Sequence, residues 1–236
     1  MITSATNPRL KLVRKLASRR QRDKLGLFAC EGEDLVAAAL DAGLQPVEVL
    51  VDADRPALER LPRAEPVSSE LMAELSTLAH PARVIAVFRR ADLPRGVEPA
   101  AGLALWHVGD PGNVGTLVRS ADALGPAFVV LSPGCADPTS PKALRASMGA
   151  VFRVPQASFD DAPGPRIGLV PRGGRPLPEV DFGKRATFVL GAERVGLPED
   201  VAASCEELVS IPLAEGSESL NVAVAGAIAL YEFRRR

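Results

Sequence analysis

The feature that most constrains this chain is an alternation in its second half. Apolar runs of strand length occur at residues 103–108, 127–131, 151–154, 167–170, 187–190 and 208–211. Helical periodicity separates some of them, at 114–124, 142–148 and 220–233. Short, nearly continuous apolar strands interleaved with helices predict a parallel sheet covered on both faces, because a strand buried on both sides needs no polar alternation. Nine Pro or Gly residues between 160 and 178 put irregular loops around the strand near Ile167.

The first half reads as a smaller α/β unit. A strand ends at Phe28-Ala29-Cys30-Glu31, a helix follows from Asp34 and stops at Gly43, and a second strand covers 46–51. Ser68 begins a further helix through Leu71 and Met72, and 84–88 is a third strand. Pro94-Arg95-Gly96-Val97-Glu98-Pro99 breaks both periods, as a linker does. The expected division is 1–93, a linker at 94–101, and 102–236.

Composition narrows the function classes. The longest stretch free of polar residues in the C-terminal part, 222–230, is far short of the ~20 residues that cross a bilayer. Met1-Ile2-Thr3 leads into Asn7-Pro8-Arg9, not into the apolar core of a secretory signal. Cys30, Cys135 and Cys205 are odd in number and widely spaced, which fits a reducing cytoplasm and provides neither a disulfide framework nor a zinc ribbon. His80 and His107 are the only histidines, so no metal centre is expected.

A net charge of −1 hides a concentrated basic segment. Residues 1–24 carry Arg9, Lys11, Arg14, Lys15, Arg19, Arg20, Arg22 and Lys24 against one acid, Asp23. Leu12, Val13, Leu16 and Ala17 recur at helical spacing, with Lys11, Arg14, Lys15, Arg19 and Arg22 on much of the opposite side. A solvated face is one reading. The scarcity of acids one turn away favours contact with phosphate.

Three strand ends open into unusual loops. The first runs Asp110-Pro111-Gly112-Asn113-Val114-Gly115-Thr116, with Arg119 further along the helix; Asn113 and Thr116 are placed to satisfy the free N–H groups of its first turn. The second is Gly191-Ala192-Glu193-Arg194-Val195-Gly196-Leu197, whose glycines let a ligand approach the backbone. Glu193 stands where a dinucleotide fingerprint has its second glycine, and no phosphate-cradling P-loop occurs anywhere. The third is Ile211-Pro212-Leu213-Ala214-Glu215-Gly216-Ser217-Glu218-Ser219-Leu220-Asn221, where Ser219 is the expected cap of a long alanine-rich helix and Asn221 a first-turn residue.

In this order and spacing the three segments resemble the signature motifs of the SpoU/TrmH family of RNA ribose 2′-O-methyltransferases, in the SPOUT superfamily. The likeness extends to Ser140-Pro141-Lys142-Ala143-Leu144-Arg145 and, in the first half, to Phe28–Gly32 and Ala79–Val87. Three departures stand out: Glu215 where many relatives have glycine, Ala223 in place of a serine, and Pro81-Ala82-Arg83 in place of Pro-Gln-Gly.

The resemblance implies a ribosomal-protein-like (L30e-like) α/β domain followed by a parallel-sheet SPOUT domain with a deep trefoil knot, working as a homodimer. It implies S-adenosylmethionine held by the loops of Gly191, Ile211, Leu213 and Leu220. Arg119 matches the family's catalytic arginine, with Asn113, Glu193, Ser219 and Asn221 shaping the site around it. Structured RNA is the implied partner, met by Arg9, Lys11, Arg14, Lys15, Arg19, Arg22, Lys142 and Arg145. The expected reaction is methyl transfer to a ribose 2′-hydroxyl in 23S ribosomal RNA; a transfer RNA substrate and a non-catalytic RNA-binding role are the competing readings.

Overall fold

A computed structural model describes residues 1–55, 61 and 63–236. The basic segment forms two helices, α1 (Pro8–Leu16) and α2 (Arg19–Leu25), broken at Ala17 and Ser18. Asn7 caps α1 by accepting the Arg9 N–H at 2.9 Å, and Leu10, Val13 and Leu16 are buried. The buried stripe is thus shifted from the expected one, since Ala17 is exposed and Leu12 only half-buried.

The chain then builds β1 (Leu27–Glu31), α3 (Glu33–Asp41), β2 (Glu48–Asp52), β3 (Glu65–Val67), α4 (Ser69–Leu75) and β4 (Val84–Arg89). These strands make a four-stranded sheet in the order β1-β4-β2-β3. The three-residue β3 is too short to leave a periodic signal and has no counterpart in the sequence reading.

The second sheet carries β5 (Ala101–Leu105), β6 (Ala127–Leu131), β7 (Gln156–Ser158), β8 (Arg166–Leu169), β9 (Arg175–Pro176), β10 (Ala186–Leu190) and β11 (Glu207–Ser210). Its seven strands are all parallel, in the order β7-β6-β5-β10-β8-β11-β9. β5 and β10 are buried along their whole length, as expected of strands covered on both faces. The helices are α5 (Pro111–Ala123), α6 (Pro141–Ser147), α7 (Glu199–Ala203) and α8 (Val222–Arg234). The apolar run at 151–154 is not a strand: residues 150–152 form a 3-10 turn and β7 follows it. Burial explains the difference, because Val151, Phe152 and Val154 fill the core from a turn as well as they would from a strand.

Helix α5 is the hub, packed against α6, α8 and β6. At Gly115 a Cβ would lie 2.4 Å from the Ala143 carbonyl oxygen, so only glycine lets α6 approach this closely. Because every strand of the sheet runs the same way, the loops after β5, β8, β10 and β11 emerge at one end, where open α/β sheets bind ligands.

Two stretches pack as one body through a buried ion pair. Arg22, on α2, is 2% exposed; its Nε donates to Asp137 Oδ2 at 2.7 Å and its Nη1 to the Leu16 and Ala17 carbonyls. Asp137, in the loop after β6, also accepts from Thr139 and Arg90. The expectation that Arg22 faces RNA is therefore corrected. The break between α1 and α2 turns its side chain inward, where a guanidinium is tolerated because its partners are all present.

Candidate active site

The β5–α5 loop is set by Asp110. Its carboxylate caps α5, accepting the Asn113 N–H at 3.0 Å, and takes Lys142 Nζ at 2.7 Å. The bond from Lys142 holds the Asp110 carboxyl below its usual range, with the Asn113 and Gly112 N–H groups adding to it against partial burial. The cap is thus Asp110 and not Asn113 or Thr116, whose hydroxyl donates back to the Gly112 carbonyl. Freed from capping, the Asn113 amide points across the loops.

Helix α8 starts differently from expectation too. Asn221 is its cap, with Oδ1 accepting the N–H groups of Ala223 at 2.9 Å and Val224 at 3.4 Å. Ser219 lies two residues before it and is exposed. An asparagine can fill the role that the sequence reading gave to serine, and here the turn geometry selects it.

These two amides and one carboxylate join the three loops. Asn221 Nδ2 donates to Asn113 Oδ1 at 3.1 Å, and Asn113 Nδ2 donates to Glu193 Oε1 at 2.9 Å. The polarity of the chain is dictated at one end. Helix α8 presents N–H groups, so the Asn221 oxygen must face them and its NH2 must face Asn113. That fixes the Asn113 oxygen toward Asn221 and its NH2 toward Glu193. Burial pushes the Glu193 carboxyl up, but the Asn113 bond and the N–H groups of Glu193, Asp110 and Gly109 outweigh it and hold the acid below its usual value.

Beside this junction lies a cavity of about 650 Å³. Gly191, Glu193, Ile211, Leu213, Ser219, Leu220 and Asn221 all line it. The end of β8 and the loop after it, at Leu169, Val170 and Pro171, line it as well and were missed from sequence. These residues read only as the end of an apolar strand, and nothing local announces that β8 sits between β10 and β11. Within the second loop, the Gly196 N–H donates to the Ala192 carbonyl at 2.8 Å, and a Cβ on Gly191 would come 2.2 Å from the Gly196 backbone. A side chain there would open the wall of the cavity.

Arg119 is exposed on α5 and is absent from the cavity lining; it makes no hydrogen bond or ion pair to a described residue. The basic residues of the first helices behave unequally. Lys11 and Lys15 are exposed without a described partner, whereas Arg9 pairs with Glu48 at 3.2 Å and Glu65 at 2.7 Å. Arg14 pairs with Glu74 and donates to the Ala5 carbonyl, and Arg19 donates to the Cys135 carbonyl at 2.7 Å. Arg145 donates to Thr77 Oγ1 at 3.1 Å, so α6 reaches from Asp110 to the first half of the molecule. Among the described residues there is no cluster of three or more potential metal ligands, and no helix is long and apolar enough to cross a membrane.

Comparison with known proteins gives this geometry a context. Residues 101–231 match the SpoU rRNA Methylase family, and residues 7–86 match the MRM3-like substrate binding domain. An uncharacterized tRNA/rRNA methyltransferase from Synechocystis is 34% identical, covering 100% of this chain and 93% of the relative. The 23S rRNA (guanosine(2553)-2′-O)-methyltransferase RlmP from Bacillus subtilis is 32% identical, covering 99% of this chain and 98% of its own. Among solved structures, an AdoMet-bound rRNA methyltransferase from Sinorhizobium meliloti superposes with a TM-score of 0.84 at 30% identity, covering 99% of this chain and 97% of the other.

Proposed function

The chain belongs to the SpoU rRNA methylase family, and we propose that it methylates a ribose 2′-hydroxyl of 23S ribosomal RNA at the junction of its three loops. It is an S-adenosylmethionine-dependent RNA methyltransferase, in keeping with its relatives and with AdoMet-bound neighbours. The cavity fits that cofactor. Its volume suits a nucleoside-sized ligand, its walls at Leu190, Ile211, Leu213 and Leu220 suit an adenine ring, and Glu193 offers negative charge to a sulfonium. When bound, S-adenosylmethionine supplies a methyl carbon activated by its positive sulfur.

The protein's own work is then positioning and charge control. Asn221 and Asn113 fix the Glu193 carboxylate at the mouth of the cavity, and its depressed pKa keeps it ionised at neutral pH. Ser219 lines the same space, and its hydroxyl would orient the nucleophile. Arg119 would hold the phosphate next to the target and stabilise developing alkoxide charge. A guanidinium keeps its proton at neutral pH, so this role suits it better than that of a base.

The same reading assigns the molecule's larger features. The first sheet and α1–α4 form an L30e-like RNA-binding domain, separated by the 94–101 linker from a SPOUT domain. In that domain the carboxyl-terminal segment threads a preceding loop as a trefoil knot. The strand order supports threading, with β10 inserted between β5 and β8, β11 between β8 and β9, and α8 returning onto α5 and β5. A homodimer in the cytoplasm completes the reading. Exposed Val224 and Tyr231 give α8, packed on α5, an apolar face, and in a dimer paired through that face Arg119 would serve the partner's cavity.

The observation that carries the proposal is the hydrogen-bonded chain Asn221–Asn113–Glu193 at the edge of the cavity. Incubation with labelled S-adenosylmethionine and ribosomal or transfer RNA, followed by mapping of alkali-resistant linkages, tests it. Label in a 23S ribose is expected. Label confined to transfer RNA or to a base would overturn the substrate or the atom assigned.

A further inference from the structure

A second cavity, of about 380 Å³, opens between α2, the β4–β5 connection and the carboxyl ends of β6 and β7. Arg19, Arg90 and Arg95 line it, together with Ser132, Thr139 and Ser158. We infer that this arginine-lined cleft holds phosphodiester groups of the substrate RNA a few nucleotides from the methylated ribose. The inference rests on the chain's being an RNA methyltransferase and extends it to a site that the motif loops do not include.

Charge is the first argument. Four guanidiniums gather here, those of Arg19, Arg22, Arg90 and Arg95, against two carboxylates, Asp23 and Asp137. Arg22 is consumed by Asp137, and Arg90 is shared between Asp23 and Asp137. Arg19 gives one bond to the Cys135 carbonyl and stands 3.8 Å from Asp23, so much of its fork is free. Arg95 is exposed and makes no side-chain bond to a described residue. The surplus positive charge thus rests on Arg19 and Arg95, whose planar donors match phosphate oxygens.

Position is the second. Because β5, β6, β7 and β10 are parallel, this cleft and the cofactor cavity open at the same end of the sheet. The loop after β5 lies between them, since β5 is flanked by β6 and β10. Two strand spacings, roughly 10 Å, separate β6 from β10. That distance suits a strand of RNA a few nucleotides long, at about 3.4 Å per stacked step.

His107 makes the bridge. Its backbone N–H donates to Ser132 Oγ, on the cleft wall, at 2.9 Å. Its backbone takes φ 52°, uncommon outside glycine, and its exposed ring lies 4.9 Å from that of Trp106. Held in this unusual conformation between the two openings, with one face stacked on Trp106, the imidazole leaves its exposed side for a base in passing.

RNA binding by fluorescence anisotropy across a salt series, run beside methylation kinetics, tests the cleft. For Arg95→Glu and for Arg19→Gln/Arg95→Glu, we expect the RNA Kd and KM to rise about tenfold. The salt slope should fall by roughly one for each phosphate the variant no longer neutralises. S-adenosylmethionine affinity and kcat at saturating RNA should stay within about twofold, and Arg95→Lys should retain most of the affinity. An unchanged Kd and salt slope in the double variant would overturn the inference. So would saturable binding of inorganic phosphate or AMP that Arg95→Glu abolishes while RNA affinity stays intact, which would make this a small-anion site. A wild-type protein that binds RNA but methylates none would count against the substrate reading alone, because anisotropy still reports on the cleft.

Discussion

At the scale of the residue, the site is organised by hydrogen-bond direction. Asp110 and Asn221 each cap a helix, and that duty sets which way the Asn113 amide can point and what it can offer Glu193. Arg119 has no such constraint, being exposed and free of described partners, so its removal should leave the fold and the cavity beside the three loops untouched. Arg119→Ala is expected to lower kcat by about 10²–10³ with S-adenosylmethionine affinity nearly unchanged, since a charge-stabilising group acts mainly in the transition state. Single-turnover kinetics beside calorimetric titration of the cofactor would check this, and an unaltered kcat would remove Arg119 from the reaction. The site's residue types were legible in the sequence as three separated loops. Which amide capped and which bridged was not, because Asn and Ser compete for a cap on backbone dihedrals that sequence does not fix.

At the scale of the element, the basic segment of the first twenty-five residues became a structural anchor as well as a surface. Splitting it into α1 and α2 turned Arg22 inward onto Asp137 and left Lys11 and Lys15 to solvent. Burial pushes the Asp137 carboxyl up, but the Thr139 bonds, the charge of Arg90 and the Arg22 bond together hold it below its ordinary value. A carboxyl depressed in the folded state contributes stability that is complete above its unfolded pKa and lost as pH falls through the folded one. Asp137→Ala should therefore destabilise the protein by about 3–5 kcal/mol at neutral pH, because Arg22 is left buried without its partner. The difference from wild type should shrink as pH falls below the ordinary carboxyl range toward the depressed folded value, where the wild-type carboxyl itself becomes protonated. Denaturant unfolding at several pH values measures both effects, and a difference that ignores pH would mean the pair is not what anchors α2. Sequence periodicity alone put Arg22 on the polar side. One unbroken helix was the simplest reading of that spacing, and the break at Ser18 rotated the second half relative to the first.

At the scale of the molecule, the parallel sheet brings the loops after β5, β8, β10 and β11 to one edge and leaves α8 with an apolar outer face. If that face pairs with a second copy, Tyr231→Glu should convert a dimer to a monomer in light scattering and abolish methyl transfer. Mixing inactive Arg119→Ala with inactive Asn221→Ala subunits should then restore part of the activity, since a mixed dimer holds one intact site. A wild-type chain that is monomeric and active at micromolar concentration would dismiss the assembly.

By itself the sequence determined that the chain is α/β, that its second half makes a buried parallel sheet, and that three strand-end loops hold the polar residues of the candidate site. These follow from local period and from glycine, proline and capping residues, which act over a few positions. Only the tertiary structure decided that β10 enters between β5 and β8, that the β8 loop joins the cavity wall, and that Arg22 serves the core. Strand order and the fate of a buried charge depend on contacts between residues far apart in the chain. No local preference encodes them; they are settled when the packed state satisfies every buried polar group at once.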